Sequence, residues 1–274
     1  MLKSPLSSPI KRALRSAFTP SGGYAPAGYD TDAQAYITAV ETADSASLET
    51  GVKDAINSFV VYCKAQGIWT AINASCILAG ARTLSGALVP LKGTAPTNFN
   101  FVSGDYNRET GLKGDALTKY LDSNRNSNAD PQDSFHMAVY GTELVTGGFL
   151  MGAGTASGAT GRSNISATTR QCRNRTDANQ GTSLTPSTPF TGCSRSSSIG
   201  FTIRANSADQ AITATSVAPI DRKVLVFGTS TTANALSTPS AERIAFYSIG
   251  EAIDLTKLET AVTTLINAYA AAIP

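Results

Sequence analysis

The stretch Arg243-Ile-Ala-Phe-Tyr-Ser-Ile-Gly-Glu-Ala-Ile-Asp254 begins with the alternating pattern of a β-strand and leads directly into an amphipathic helix. A second strand-like stretch, Gly111-Leu-Lys-Gly-Asp-Ala-Leu-Thr-Lys-Tyr-Leu-Asp122, lies about 120 residues earlier. Between them, short apolar runs alternate with polar residues and are separated by Gly, Ser, Thr and Asn. A period of two with frequent turn residues predicts a mainly β chain that folds as an antiparallel β-sandwich or jelly roll.

Four further short segments support the β prediction. They are Cys76–Ala79, Phe135–Tyr140, Ile199–Arg204 and Lys223–Gly228. The second and third alternate apolar and polar residues, and the last is an apolar run closed by glycine. No repeat of about 30 residues alternates strand with helix, so a parallel sheet is disfavoured.

Helices are predicted at both ends of the strand-rich region. Residues 31–66 read as two helices, with Ser47 as an N-cap and Gly67 ending the second one. One apolar stripe of this second helix consists of Val52, Ile56, Phe59, Val60 and Cys63. Either core packing or contact with another subunit explains such a stripe. A closing helix begins near Asp254, which is expected to cap it, and has one apolar face, formed by Leu258, Val262, Leu265, Ile266 and Tyr269.

The first 29 residues differ from the rest of the chain. They carry four basic residues and no acid, and prolines interrupt them, although Pro9 could start a short helix through Phe18. Apolar residues recur at four-residue intervals, which predicts an arm that binds a neighbouring subunit; a disordered tail is the alternative. The predicted docking residues are Leu6, Ile10, Arg12, Leu14 and Phe18. The organisation is therefore a docking arm over 1–29, a helical hairpin over 30–70 and a jelly roll over 71–274.

Composition excludes several classes of function. The net charge of +2 gives no strong field for nucleic acid, and no apolar run approaches the ~18 residues of a membrane span. The four cysteines contain no CxxC pair and the chain has one histidine, so neither a zinc site nor a cofactor is predicted. Cys172 and Cys193 could bridge, but no secretory signal accompanies them.

No catalytic constellation appears on the predicted strands. Glucanases of this architecture need two or three acids on one strand face, and no such cluster is present. The lone His136 has no Gly-x-Ser-x-Gly elbow and is expected to be a hydrogen-bonded structural residue. Asp130 and Asp133, with Asn124, Asn126 and Asn128, form an oxygen-rich loop that either binds calcium at a rim or is an ordinary turn.

Several blocks of the chain resemble known families. Thr110–Asp122 is similar to the signature strand pair of the laminin-G-like, concanavalin A-like jelly roll, and Arg243–Gly250 resembles a late strand of that family. The blocks Gly80–Leu91 and Pro96–Arg108 are similar to structural proteins of phage virions, especially of cyanophages. These resemblances imply a concanavalin-like sandwich on a virion surface, in a tail fibre or a decoration protein.

A positive rim is the predicted ligand site. Arginine forks bind carboxylate, sulfate or phosphate, and five of them lie in the Gly/Ser/Thr-rich middle of the chain: Arg162, Arg170, Arg173, Arg175 and Arg195. Trp69, Tyr106 and Tyr120 are candidates to stack on sugar rings.

The sequence therefore predicts a non-enzymatic virion surface protein without metal or cofactor. Its jelly roll would bind host-surface polysaccharide as part of a tail fibre, and its arm would dock on other virion proteins. It would assemble as a homotrimer, without binding nucleic acid or inserting into a membrane. The alternatives are a capsid decoration protein and a polysaccharide-degrading enzyme.

Overall fold

The computed structural model of the chain describes residues 28–154 and 161–274. These residues are mainly β: seventeen strands form two sheets, and four α-helices accompany them, the last at the C-terminus. The prediction of a β-sandwich with a C-terminal helix is confirmed. The predicted docking residues Leu6, Ile10, Arg12, Leu14 and Phe18 lie outside the described part of the chain.

The first sheet has nine strands. In chain order they are β1 (Ile72–Ile77), β2 (Pro90–Lys92), β4 (Tyr106–Asn107), β5 (Gly111–Lys113), β7 (Phe135–Glu143), β11 (Phe190–Arg195), β12 (Gly200–Ala205), β13 (Ala208–Thr213) and β17 (Arg243–Gly250). Their spatial order is β13-β12-β11-β7-β17-β1-β2, with β5 beside the start of β17 and β4 beside β5. All the pairings within this sheet are antiparallel.

The second sheet has eight strands and covers the inner face of the first. They are β3 (Thr97–Phe99), β6 (Tyr120–Asn126), β8 (Phe149–Ala153), β9 (Ser163–Ser166), β10 (Cys172–Asn174), β14 (Lys223–Val226), β15 (Thr229–Ser230) and β16 (Leu236–Ser237). Their order is β10-β9-β8-β14-β6-β3, and β15 joins β8 through one parallel contact. A buried apolar cluster fills the space between the sheets.

Three longer helices and one short one lie beside the sheets. They are α1 (Thr31–Asp44), α2 (Thr50–Ala65), α3 (Leu84–Ala87) and α4 (Leu255–Ala272). Both predicted apolar stripes are buried and share a second cluster with the outer face of the first sheet. The prediction for Ser47 is wrong, because Glu49 is the N-cap of α2. Gly67 follows the helix with φ of 71°, a conformation that glycine adopts readily.

Strand β17 is the centre of the fold. It pairs with β7 along one edge, and β5 and then β1 occupy the other edge. Because helices cover one face and the second sheet covers the other, both of its faces are buried. The stretch Gly111–Asp122, predicted as one strand-like unit, is instead divided between β5 and β6, which belong to different sheets.

The hairpin of β12 and β13 forms the far edge of the first sheet. Its two-residue turn is Asn206-Ser207, and both residues have positive φ, 52° and 58°. That pair of conformations is typical of a type I′ turn, whose twist matches that of antiparallel strands. Residues of β13 alternate between partly and fully exposed, so this edge borders solvent.

Candidate functional site

The five arginines predicted as an exposed rim lie mostly inside the protein. Arg170, Arg175 and Arg195 are at most 1% exposed, and Arg162 is 5% exposed. Arg173 is half-buried. The prediction of a solvent-facing positive patch is therefore wrong, because the guanidinium groups are used in contacts between the two sheets and their loops.

Arg195 and Arg175 are held by neutral acceptors. Arg195 Nε donates to the carbonyl of Asn174 at 3.0 Å, which ties β11 of the first sheet to β10 of the second. Arg175 Nη1 donates to Ser127 Oγ at 2.7 Å, and its guanidinium lies 3.9 Å from the centre of the Phe135 ring. Burial lowers the pKa of Arg175 to about 10. These side chains act as cross-links inside the sandwich.

Arg170 makes the buried ion pair of this group. Its Nη2 lies 3.0 Å from Glu242 Oε1, and both side chains are 1% exposed. Burial raises the pKa of Glu242. Arg170 Nε and Nη1 find no acceptor among the described residues, so Glu242 is its main polar partner. Arg162 donates to the carbonyl of Asp177.

His136 is a buried structural residue, as predicted. One ring nitrogen, Nε2, lies 2.7 Å from Ser248 Oγ, and Nδ1 lies 2.5 Å from the carbonyl oxygen of Glu251. Burial lowers its pKa to about 4, so the ring is neutral at physiological pH. Its contacts fix the loop that joins β17 to α4.

The oxygen-rich loop after β6 uses its carboxylates in protein contacts. Asp130 is buried, with Arg125 Nη2 at 2.5 Å and Asn73 Nδ2 at 2.8 Å. The carboxylate of Asp133 accepts from Ser216, and Asn124 Nδ2 donates to a backbone carbonyl. Within residues 28–154 and 161–274, no group of three His, Cys, Asp or Glu side chains is placed to hold a metal ion.

The four cysteines are buried and free. Cys172 of β10 and Cys193 of β11 are neighbours across the two sheets, and their thiols are in contact. Burial raises the pKa of Cys172 well above its usual value, so neither thiol is exposed as a nucleophile.

The aromatic candidates have different environments. Trp69 is buried, and its indole N–H donates to Asp32 Oδ2 at 3.0 Å. The Tyr106 hydroxyl donates to the carbonyl of Ala81 at 2.7 Å. Tyr120 instead stacks on Phe99, with ring centres 4.4 Å apart and planes inclined by 3°. Phe99 is 37% exposed on edge strand β3, so this pair presents an aromatic surface.

A polar cleft of about 490 Å³ lies where α4 begins over β11, β12 and β13. Its lining is dominated by hydroxyl and carboxylate side chains together with the loop before α4. The described residues that line it are Ser194, Ser196, Thr202, Asp209, Ala252, Ile253, Asp254, Leu255 and Thr256. Its volume falls within the ~300–1,000 Å³ of ordinary ligand sites.

Local hydrogen bonds hold the walls of the cleft in place. Ser194 Oγ accepts from the backbone N–H of Ile253 at 2.9 Å, which fixes the loop against β11. Asp254 caps α4, as predicted, by accepting from the N–H groups of Thr256 and Lys257. Its other carboxylate oxygen lies 4.0 Å from Lys257 Nζ. That oxygen can accept a further hydrogen bond.

Asp209 supplies the second carboxylate of the cleft. Arg204 Nη1 donates to its Oδ1 at 2.8 Å, while Arg204 Nε donates to Glu259 on α4. Arg204 thus joins β12, β13 and α4 and sets the position of Asp209. The carboxylates and the hydroxyls of Ser196, Thr202 and Thr256 can together accept from and donate to a ligand rich in hydroxyl groups.

Sequence reasoning found Asp254 as a helix cap and missed the rest of the cleft. Thr202 and Asp209 belong to paired strands, and their convergence on residues 252–256 depends on the position of α4. The available signal was the exposed side of a strand pair that precedes a capped helix. No protein-family model matches the chain, and no curated protein matches it. The resemblance to laminin-G-like domains and to phage virion proteins stays a prediction.

Proposed function

We propose that this chain is a non-enzymatic surface protein of a bacteriophage particle, in a tail fibre or similar appendage, whose sandwich binds host-surface glycan. The polar cleft at the start of α4 carries the glycan-binding part of the proposal. The resemblance of the blocks Gly80–Leu91 and Pro96–Arg108 to virion proteins supports the location. The N-terminal arm would attach the protein to other virion proteins.

The chemistry of the cleft favours a neutral sugar over an anionic one. Its lining contains two carboxylates and several hydroxyls, and no basic side chain belongs to its described lining. Carboxylates accept hydrogen bonds from sugar hydroxyls, whereas they offer no donor to sulfate or uronate groups. The buried arginines that would have suited an anionic glycan are used elsewhere.

Binding rather than hydrolysis is the better use of these two acids. A glycosidase needs a protonated general acid, which usually requires a buried carboxyl group. The side chains of Asp209 and Asp254 are 50% and 47% exposed. Asp209 accepts from Arg204, and Asp254 accepts from backbone N–H groups, so both carboxyl groups are already engaged as hydrogen-bond acceptors.

Glycan binding is tested with the purified full-length protein on an array of neutral and anionic bacterial polysaccharides. We expect neutral glycans to bind, and Asp209→Asn or Thr202→Val to weaken binding at least tenfold. Glu109→Gln is the matched control, because Glu109 is exposed and lies outside the cleft. Equal loss in the control, or release of reducing sugar, would overturn the proposal.

The position on the particle is tested separately, by counting this chain against the major capsid protein after heads and tails are separated. The proposal expects a few to a few dozen copies in the tail fraction. Hundreds of copies in the head fraction would contradict the tail location and support the capsid decoration role instead. The stripe of α2 packs within the subunit, so this stripe does not support the homotrimer.

A further inference from the structure

A second, apolar cavity lies on the outer side of the helical layer. It is a groove of about 360 Å³ between α2 and α4, with buried residues at its floor and exposed residues at its rim. Gly, Ala and Ser are too small to fill the space between the two helices, and the larger Phe, Tyr and Leu side chains border it. The described lining residues are Gly51, Asp54, Ala55, Ser58, Phe59, Tyr62, Thr260, Ala261, Thr264, Leu265 and Ala268. An exposed groove of this composition is typical of helix-in-groove binding.

The described part of the chain begins beside this groove. The hydroxyl of Tyr29 donates to Asp54 Oδ1 at 2.8 Å, and Asp54 is the only charged residue among the described residues that line the groove. Tyr29, the second described residue, therefore lies against one wall of the groove. Asp54 also gives that wall a negative charge.

The N-terminal arm has a sequence that suits this groove. From Pro9, which favours a helix start, small and apolar residues fall at i, i+3, i+4, i+7 and i+8. These residues are Ile10, Ala13, Leu14, Ala17 and Phe18. Lys11, Arg12 and Arg15 fall between them and would border the groove with positive charge. The apolar stripe of the arm would face the apolar groove. The basic residues beside the stripe are opposite in charge to Asp54.

We propose that the groove between α2 and α4 binds the segment Pro9–Phe18 of the same chain. The ten or so residues from Thr19 to Gly28 can span at most about 35 Å. The groove from Gly51 to Tyr62 follows only about 17 Å of helix. Tethering at this length gives the segment an effective concentration in the millimolar range, which favours it over the arm of a second copy.

Docking would cover two apolar surfaces in the isolated subunit. An uncovered groove and an uncovered amphipathic arm each favour association with other proteins. A virion protein that binds the groove in place of the arm, or that binds the arm, would release the arm from the groove. The docking does not rest on glycan binding or on the location in the particle.

Disulfide trapping in the full-length protein tests the proposal. Leu14→Cys is combined with Thr264→Cys on α4 or with Ser58→Cys on α2, which place a thiol on either wall. The control combines Leu14→Cys with Ala270→Cys, which is exposed on α4 but does not line the groove. The four native cysteines are buried. The proteins are oxidised with a small-molecule disulfide, and the linked peptides are identified by mass spectrometry.

We expect an intramolecular link at one or both groove positions to form at least ten times faster than the control link, at a rate independent of protein concentration. Equal rates in groove and control variants would overturn the proposal, as would the absence of any link in protein shown by circular dichroism to be folded. Links that join two chains and disappear on dilution would also overturn it, and would identify a second copy's arm as the occupant.

Discussion

The two faces of the first sheet are stabilised in different ways. On the outer face, α1, α2 and α4 bury an almost wholly apolar cluster against the strands. On the inner face, near β9, β10 and β11, charged side chains are built into the interior, and the pair Arg170–Glu242 joins residues 72 positions apart. In an apolar cluster, a truncation costs mainly the packing of the residue that is removed. A buried ion pair makes each partner depend on the other.

Removal of one partner from the inner face has the largest expected effect. Glu242→Ala leaves the Arg170 guanidinium buried and without its carboxylate, and should lower the free energy of unfolding by about 3–5 kcal/mol. The double variant Arg170→Met/Glu242→Leu removes both charges and should cost far less. Urea unfolding followed by Trp69 fluorescence measures both. A single-variant loss below about 1 kcal/mol would contradict the structural role of the pair.

On the outer face, Leu265→Ala should lower the free energy of unfolding by about 2–5 kcal/mol, because Leu265 is 2% exposed in the helical cluster. Leu265→Met, which nearly conserves volume, is the control and should cost less than about 1.5 kcal/mol. Combined with Glu242→Ala, the loss should be additive, since the sites lie on opposite faces. A strong departure from additivity would show that the two faces are not independent.

The smallest expected effect is a change of stability with pH that comes from the buried His136. The folded pKa of His136 is about 4, against about 6.5 in an unfolded chain, so the unfolded state binds the proton more readily. The stabilisation is present above pH 6.5 and is lost as the pH falls toward 4, by up to about 3 kcal/mol. The charged groups that act on His136 are Asp130 and Arg125, which form an ion pair with each other.

The measurement compares the wild type with His136→Gln by urea unfolding between pH 7.5 and pH 4. The difference in unfolding free energy between them should shrink as the pH falls. Glu242, whose pKa is raised by burial, contributes with the opposite sign but is present in both proteins and cancels. A difference that stays constant with pH would contradict a neutral buried histidine.

Periodicity identified the elements whose burial follows a simple repeat. The stripe of α2, the face of α4 and the strand β17 were predicted correctly because each is set by neighbours within one element. The arginines were misplaced for the opposite reason. An Arg in a Ser- and Thr-rich segment looks exposed until its acceptor is known, and the acceptors here are backbone carbonyls, a serine hydroxyl and a glutamate far along the chain.

The candidate site was less predictable than the fold. Asp254 was recognisable as a helix cap from its position before Leu255. Asp209 and Thr202 could be recognised only as outward-facing residues of a strand pair, because what brings them to the cleft is the packing of α4 over the β12–β13 hairpin through Arg204. The side chains of this cleft are brought together by tertiary contacts, and such contacts leave no local pattern in the sequence.

The place of β17 in the first sheet has a consequence for biosynthesis. This strand, which ends at Gly250, lies between β7 and β1, so the strands made earlier cannot complete the sheet until β17 has left the ribosome. Such long-range pairing slows folding and prolongs the exposure of unpaired strand edges. We expect nascent chains that stop before Arg243 to be protease-sensitive and to depend on chaperones, and protection to appear only once β17 has left the ribosome.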